Sequence, residues 1–370
     1  MTENQEALPA GDWRAGGRIP YLDGIRAFSI LLVIIAHARA SVSHLHIPDQ
    51  FFHLFGNAWL GVRIFFALSG FLITTLLLQE RQKTGANSLS GFYKRRIARI
   101  FPAFYLFLFT IAIIAALGGL QIRPQYFFEA GSFTWNYALF WRSSEYPLGD
   151  PDVLGHVWTL CLEEQFYLLW PAVVVFLGFR RAWRISVGIV IVVPLVRIYL
   201  YHAFPACRAD LKSMLPTGID QIMWGCVAAI ALWESEALRE FLRRANWMLP
   251  AGIGLVILVG LAELQKVLDS TSSLVAPTVN GVGVMLFIGW LLQRPRNAIG
   301  HILEWRPLVF LGLLSYSLYL WQQPFFFSTH VNWMTAFPAN VLLPFPIAMA
   351  SYFLVEQPAR RWLRKRWRGR

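Results

Sequence analysis

The sequence predicts an all-α, polytopic membrane protein with about ten transmembrane helices and both termini in the cytoplasm. Three observations predict it. The first is composition: of 370 residues, 56% are hydrophobic and 15% are charged, whereas soluble domains run at about 45–50% apolar and about 25% charged. The second is length patterning, because apolar segments of about 20 residues recur from Leu22 to the end, each long enough to cross a bilayer. The third is charge. A net charge of +12, from 33 Lys+Arg against 21 Asp+Glu, is not spread evenly but gathers in alternate loops. Together these exclude an ordinary cytosolic enzyme, a disordered chain and a disulfide scaffold.

The expected spans, in order, are 22–42, 60–80, 100–119, 157–179, 185–203, 213–233, 247–264, 274–293, 307–327 and 338–356. A further aromatic piece, 131–143, is short and carries Asn136 and Arg142. Hydropathy alone does not assign it, but the positive-inside rule does. With 131–143 outside the membrane core, 24 basic residues fall on the N-terminal side and five on the other, and the remaining four (Arg26, Arg39, Arg63 and Arg197) lie within spans. If 131–143 crossed, every later loop would change sides. It is therefore expected to be a re-entrant or outer-surface segment. The same count divides the chain into a cytoplasmic tail (1–20), a membrane domain (21–358) and a basic cytoplasmic tail (359–370).

Three scattered cysteines, Cys161, Cys207 and Cys226, form no CxxC pair and argue against a disulfide framework or structural zinc. The first 20 residues lack an apolar run followed by a small-residue cleavage site, so no cleavable signal peptide is expected. His44, His46 and His53 share one loop, but their spacing fits no strong metal-ligand pattern. No metal is expected. The charge distribution also removes nucleic acid as a partner and leaves the lipid bilayer.

Charged groups inside a membrane are costly and mark function more often than elsewhere. The first span, YLDGIRAFSILLVIIAH, carries Asp23, Arg26 and His37. At about 100° per residue all three share one face, with Arg26 and His37 roughly 16 Å apart along the axis. Asp23 and Arg26, three apart, also read simply as an interfacial ion pair. WTLCLEEQFYLLWP places Glu163 and Glu164 near the start of a span. They point about 100° apart, so one is expected to face the bundle and the other the interface. In FFALSGFLIT, Ser69 and Gly70 suit close helix packing. No G-x-S-x-G elbow surrounds Ser69. The run KRRIARIFP holds Arg95, Arg96 and Arg99. It reads either as a topology signal against anionic lipid or, through Arg96 and Arg99 on one face, as a phosphate clamp.

In order and content these motifs, with SYSLYLWQQP and YFLVEQPARRW, resemble the acyltransferase 3 family of integral-membrane acyltransferases. The resemblance covers residues 21 to 363. It implies an O-acyltransferase that takes an acyl group, commonly acetyl, from cytoplasmic acyl-CoA as co-substrate, with no permanently bound cofactor. The acceptor it implies is a hydroxyl of a cell-surface or exported glycan such as lipopolysaccharide or exopolysaccharide, at a bacterial inner membrane. By that resemblance His37 is the essential histidine, Arg26 its paired arginine, and Glu164 with Glu163 the glutamates of the later span. Arg96 and Arg99, with Arg95, meet the donor, near Ser69 and Gly70. Asp23, Tyr167, Tyr316 and Tyr319 are supporting residues. Gln322 stands where many members have histidine, so no proton transfer is assigned there. The hydrolase-like C-terminal domain of some members has no counterpart in these residues.

The chemistry fits the residue types. A histidine suits the base that takes a hydroxyl proton, or itself becomes transiently acylated. A pantetheine arm spans roughly the distance from Arg26 to His37. Two other readings stay open: acylation of a small metabolite such as a macrolide, and a non-catalytic transporter or flippase.

Overall fold

The computed structural model describes residues 13–14, 19–48, 51–52, 55–137, 151–205, 208, 211–264, 271–294, 297–328 and 332–368. Every regular element among them is helical. The order is α1 (Pro20–Ala38), α2 (Ala58–Thr84), α3 (Leu89–Ala116), α4 (Pro124–Gly131), α5 (Val157–Ala203), α6 (Asp220–Glu234), α7 (Glu236–Arg244), α8 (Met248–Leu264), α9 (Thr271–Gln293), α10 (Arg306–Phe327), α11 (Pro344–Ala350) and α12 (Gln357–Arg368). A π-helical stretch, Ser351–Glu356, joins the last two.

Among the described residues, six helical runs are long and apolar enough to cross a membrane: Tyr21–Leu45, Ala58–Thr84, Leu89–Ala116, Asp152–Ala203, Leu274–Gln293 and Ala339–Trp367. The protein is a multi-pass membrane protein. Helix covers most of each of the ten expected stretches, but six runs and not ten have the length and hydropathy of a crossing among the described residues, and the difference has physical causes. Residues 157–179 and 185–203 merge into one run that breaks at Gly178, where φ is 77° and ψ is 161°. Only glycine adopts such a backbone without strain. The α6 and α8 helices have 15 and 17 residues, short of the roughly 20 that a span needs. The α10 helix has 22 residues, but it buries Ser315, Ser317, Gln322 and Gln323, and these lower its hydropathy. The aromatic piece 131–143 is described only to Tyr137. Up to there Asn136 is buried and exchanges amide hydrogen bonds with Gln165 of α5, at 3.3 and 3.0 Å.

Local sequence sets the helix ends. Asn57 caps α2 by accepting from the Leu60 N–H at 2.9 Å, and Ser88 caps α3 by accepting from Gly91 at 3.0 Å. Gly85 closes α2 in the left-handed conformation. The α1 helix packs between α2 and α10, and α2 lies along α6. The α2–α6 crossing is very close: a Cβ on Gly70 would collide with the Ile222 carbonyl, and one on Gly225 with Ala67. Small residues let backbones approach in this way inside membranes.

One feature of the bundle was not legible as a pair. Arg197 and Asp220 are both fully buried. The guanidinium donates to Asp220 Oδ1 at 2.9 Å and Oδ2 at 3.0 Å, and to the carbonyls of Thr217 (2.6 Å) and Leu274 (2.9 Å). Thr278 donates to Asp220 at 2.9 Å. This network ties the second half of α5 to α6 and α9.

Candidate active site

Five helices converge on one internal cavity. From α1 comes Arg26; from α2, Phe65, Phe66 and Ser69; from α3, Arg96, Arg99 and Ile100. The α5 helix contributes Thr159, Glu163, Glu164 and Tyr167, and α10 contributes Ser315, Tyr316 and Tyr319. Three guanidinium groups thus face two carboxyl groups in a space walled by aromatic rings. Ionisable groups gathered inside an apolar bundle in this way mark a candidate functional site.

The polar contacts are directional. Tyr167 donates its hydroxyl to Ser69 Oγ at 3.0 Å, and Ser69 donates to Glu163 Oε1 at 2.6 Å. The Arg96 guanidinium lies 4.9 Å from the centre of the Tyr167 ring, within cation–π range. Tyr316 donates to the Ile100 carbonyl at 2.9 Å, fixing α10 to α3 beside the arginines. Arg26 keeps Asp23 as a partner at 3.3 Å. Glu163 and Glu164 both line the cavity, contrary to the expectation that one would turn to the interface. A cavity bounded by helices on both sides of α5 is wide enough to take two side chains about 100° apart.

The remaining predicted residues lie elsewhere. Gly70 faces the α6 crossing described above. Arg95 is half-exposed and pairs with Glu80 at 3.0 Å. His37 sits above the cavity, at the other end of the Arg26 face, with Phe327 edge-on at a ring separation of 4.9 Å. Its Nδ1 meets Gln322 Oε1 at 2.8 Å.

On the His37 side the cavity wall is a polar layer of Thr159, Tyr319 and His156, of which the sequence singled out Tyr319 and missed Thr159 and His156. Thr159 and Tyr319 share a hydrogen bond at 2.8 Å, and both hydroxyls reach the His156 carbonyl, at 2.9 and 3.3 Å. The His156 ring is buried, edge-on to Phe107 and Tyr319. A helical signal for this layer does exist. Ser315, Tyr319, Gln322 and Phe326 recur on one face of α10 at spacings of three and four. Among the described residues no group of His, Cys, Asp and Glu is placed to hold a metal ion.

Fold and cavity together define a multi-pass helical membrane protein with a charged cavity inside its bundle. Residues 19–355 match the Acyltransferase domain family, acyltransferase 3, and the chain belongs to that family. It is 26% identical to O-acetyltransferase OatA of Staphylococcus aureus over 361 residues, covering 93% of this chain and 57% of the relative. It is 27% identical to the putative peptidoglycan O-acetyltransferase YrhL of Bacillus subtilis over 366 residues (92% and 55%). It is also 27% identical to peptidoglycan O-acetyltransferase OatA of Listeria monocytogenes over 367 residues (93% and 56%). The chain spans about half the length of these relatives. No solved structure matches it.

Proposed function

We propose that this chain is a membrane O-acyltransferase that moves an acyl group, acetyl in the first instance, from cytoplasmic acyl-CoA to a hydroxyl of a cell-surface or exported glycan. The observation that carries the reading is the cavity: Arg26, Arg96 and Arg99 in a family of acyltransferases. Relatives named as peptidoglycan O-acetyltransferases support a sugar hydroxyl as acceptor. The polyanionic end of CoA stays near Arg95, Arg96 and Arg99, where guanidinium–phosphate bonds are strong. The pantetheine arm carries the thioester past Arg26 and the Thr159–Tyr319 layer. His37 takes the acceptor hydroxyl's proton as the oxygen attacks the thioester carbonyl. The C–S bond then breaks, the ester forms, and the CoA thiolate leaves with that proton. The complete transfer, and any other protein that shares in it, belong to the same proposal.

The test uses purified protein in proteoliposomes with labelled acetyl-CoA and soluble glycan fragments. Release of free CoA is expected in step with acetyl ester formation. Replacing both Arg96 and Arg99 by alanine is expected to raise the KM for the donor at least about tenfold, since each lost charge-assisted bond costs about 1.5–3 kcal/mol. Absence of donor consumption with every glycan would overturn the reading in favour of transport.

The reading includes ten crossings with both termini cytoplasmic, in a bacterial inner membrane. The break at Gly178 supports two crossings within α5, whose 47 residues would otherwise measure about 70 Å, more than twice a hydrocarbon core of about 30 Å. With Cys207 changed to serine, a cysteine at exposed Ser132 is expected to react with an impermeant maleimide on intact cells. One at exposed Ser88 should react only after permeabilisation. The reverse pattern would invert the topology.

A further inference from the structure

Gln322 and Gln323 lie one above the other between His37 and the turn at Pro151–Leu154, and both are buried, at 0% and 5% exposure. Gln323 Nε2 donates to the Asp152 backbone carbonyl at 2.9 Å. Gln322 Nε2 donates to Gln323 Oε1 at 3.4 Å. Gln322 Oε1 then faces His37 Nδ1 at 2.8 Å.

The order of these bonds matters. A side-chain amide has one donating end and one accepting end, while a backbone carbonyl only accepts. The Asp152 carbonyl therefore demands the NH₂ of Gln323, which leaves Gln323 Oε1 toward Gln322. That oxygen demands the NH₂ of Gln322, which leaves Gln322 Oε1 toward the imidazole. An oxygen there demands an N–H. We infer that Gln323 and Gln322 form a one-way hydrogen-bond relay that holds His37 as its Nδ1–H tautomer and leaves Nε2 bare for the acceptor hydroxyl. Nε2 makes no hydrogen bond among the described residues.

The inference deepens, and rests on, the reading of His37 as the base. It makes Gln322 and Gln323 positioning residues, which act through His37. It also gives the amide at 322 a distinct consequence. An amide fixes a ring but neither takes up nor releases a proton near neutral pH, so the whole proton balance of the transfer falls on His37 Nε2. Which nitrogen of a histidine is available is set by the partner of the other, and a relay ending on the backbone makes that choice independent of any titrating group.

The experiment is ¹⁵N NMR of the full chain in nanodiscs with ¹⁵N-histidine, at a pH where imidazole is neutral. The His37 signals among the eight histidines are identified by their loss in His37→Ala. Protonated Nδ1 and bare Nε2 are expected in the parent. In Gln322→Leu the ring is expected to pass to the Nε2–H form. Its kcat should fall at least about tenfold, short of the ~10⁴ that a wrong tautomer costs in a serine-protease triad, with the donor KM within about twofold. Gln323→Leu should fall the same way to a smaller degree. Gln322→Glu, whose carboxylate still accepts from Nδ1, should keep the tautomer and most of the rate. A protonated Nε2 in the parent would overturn the relay, as would unchanged tautomer and kcat in both leucine variants. Should His37→Ala retain activity, the base assignment falls while the ¹⁵N signals still judge the relay. With His37→Ala inactive and Nε2 protonated in the parent, the relay alone falls.

Discussion

Replacing His37 by alanine is expected to lower kcat for acyl transfer at least about a hundredfold, the usual contribution of a positioned general base being about 10²–10⁴. The donor KM should change little. His37 lies beyond the Thr159–Tyr319 layer from the arginines of the cavity, so the donor's phosphates are held without it. The fold should also survive. The ring's polar contact among the described residues is the one with Gln322, and Gln322 retains Gln323 as a partner. The check is a comparison of kcat and KM for His37→Ala with those of Arg96→Ala in the same proteoliposomes. Loss of kcat in the first and a rise of KM in the second would separate base from donor clamp. Full activity of purified His37→Ala would remove both the direct route and an acyl-histidine intermediate. A stable acyl group trapped on His37 in the absence of acceptor would select the second of these over the first.

Much of this site could be read from the chain, and the reason is periodicity. The 3.6-residue turn puts Asp23, Arg26 and His37 on one face before any neighbour is known, and α1 keeps them there. The arginine pair of α3 and the glutamates of α5 were equally visible, because charge in an apolar run is conspicuous. What the sequence hid were pairings between distant residues. Ser69 meets Glu163 across 94 positions, and His37 meets Gln322 across 285. Neither pairing follows from local spacing, since each depends on which helices become neighbours. The same limit explains the glutamates. A 100° separation predicts opposite surroundings for a helix against one partner, but α5 meets α2, α3 and α6, so both side chains find the interior. Gly70 and Ser69 show the opposite outcome from adjacent positions, one at a helix crossing and one in the cavity. His156 was missed because it lies just ahead of α5, outside the apolar run that drew attention to WTLCLEEQ.

Asp220→Ala is expected to be the most destabilising single change in the bundle, by about 3–5 kcal/mol, because it strands a buried guanidinium. Arg197 is fully enclosed and its bidentate partner is Asp220. The carbonyls of Thr217 and Leu274 would still accept two of its N–H groups, but carbonyls carry no compensating charge. The mirror change, Arg197→Met, leaves a buried carboxylate with Thr278 as its hydroxyl donor and should cost a similar amount. Removing both charges together, as Arg197→Met with Asp220→Leu, should recover most of the loss, since well-packed apolar residues often replace a buried ion pair at little or no cost. Thermal unfolding in detergent reads the three variants directly. Equal instability in the double and single variants would show that the pair itself, and not the avoidance of a lone charge, holds α5 to α6. Activity separates this network from the proposed active site: neither residue lines the cavity, so the folded fraction of each variant should keep the parent kcat. A fall in kcat out of proportion to folded protein would mean that the α5–α6 contact also sets the position of Glu163 and Tyr167, both of which α5 carries into the cavity.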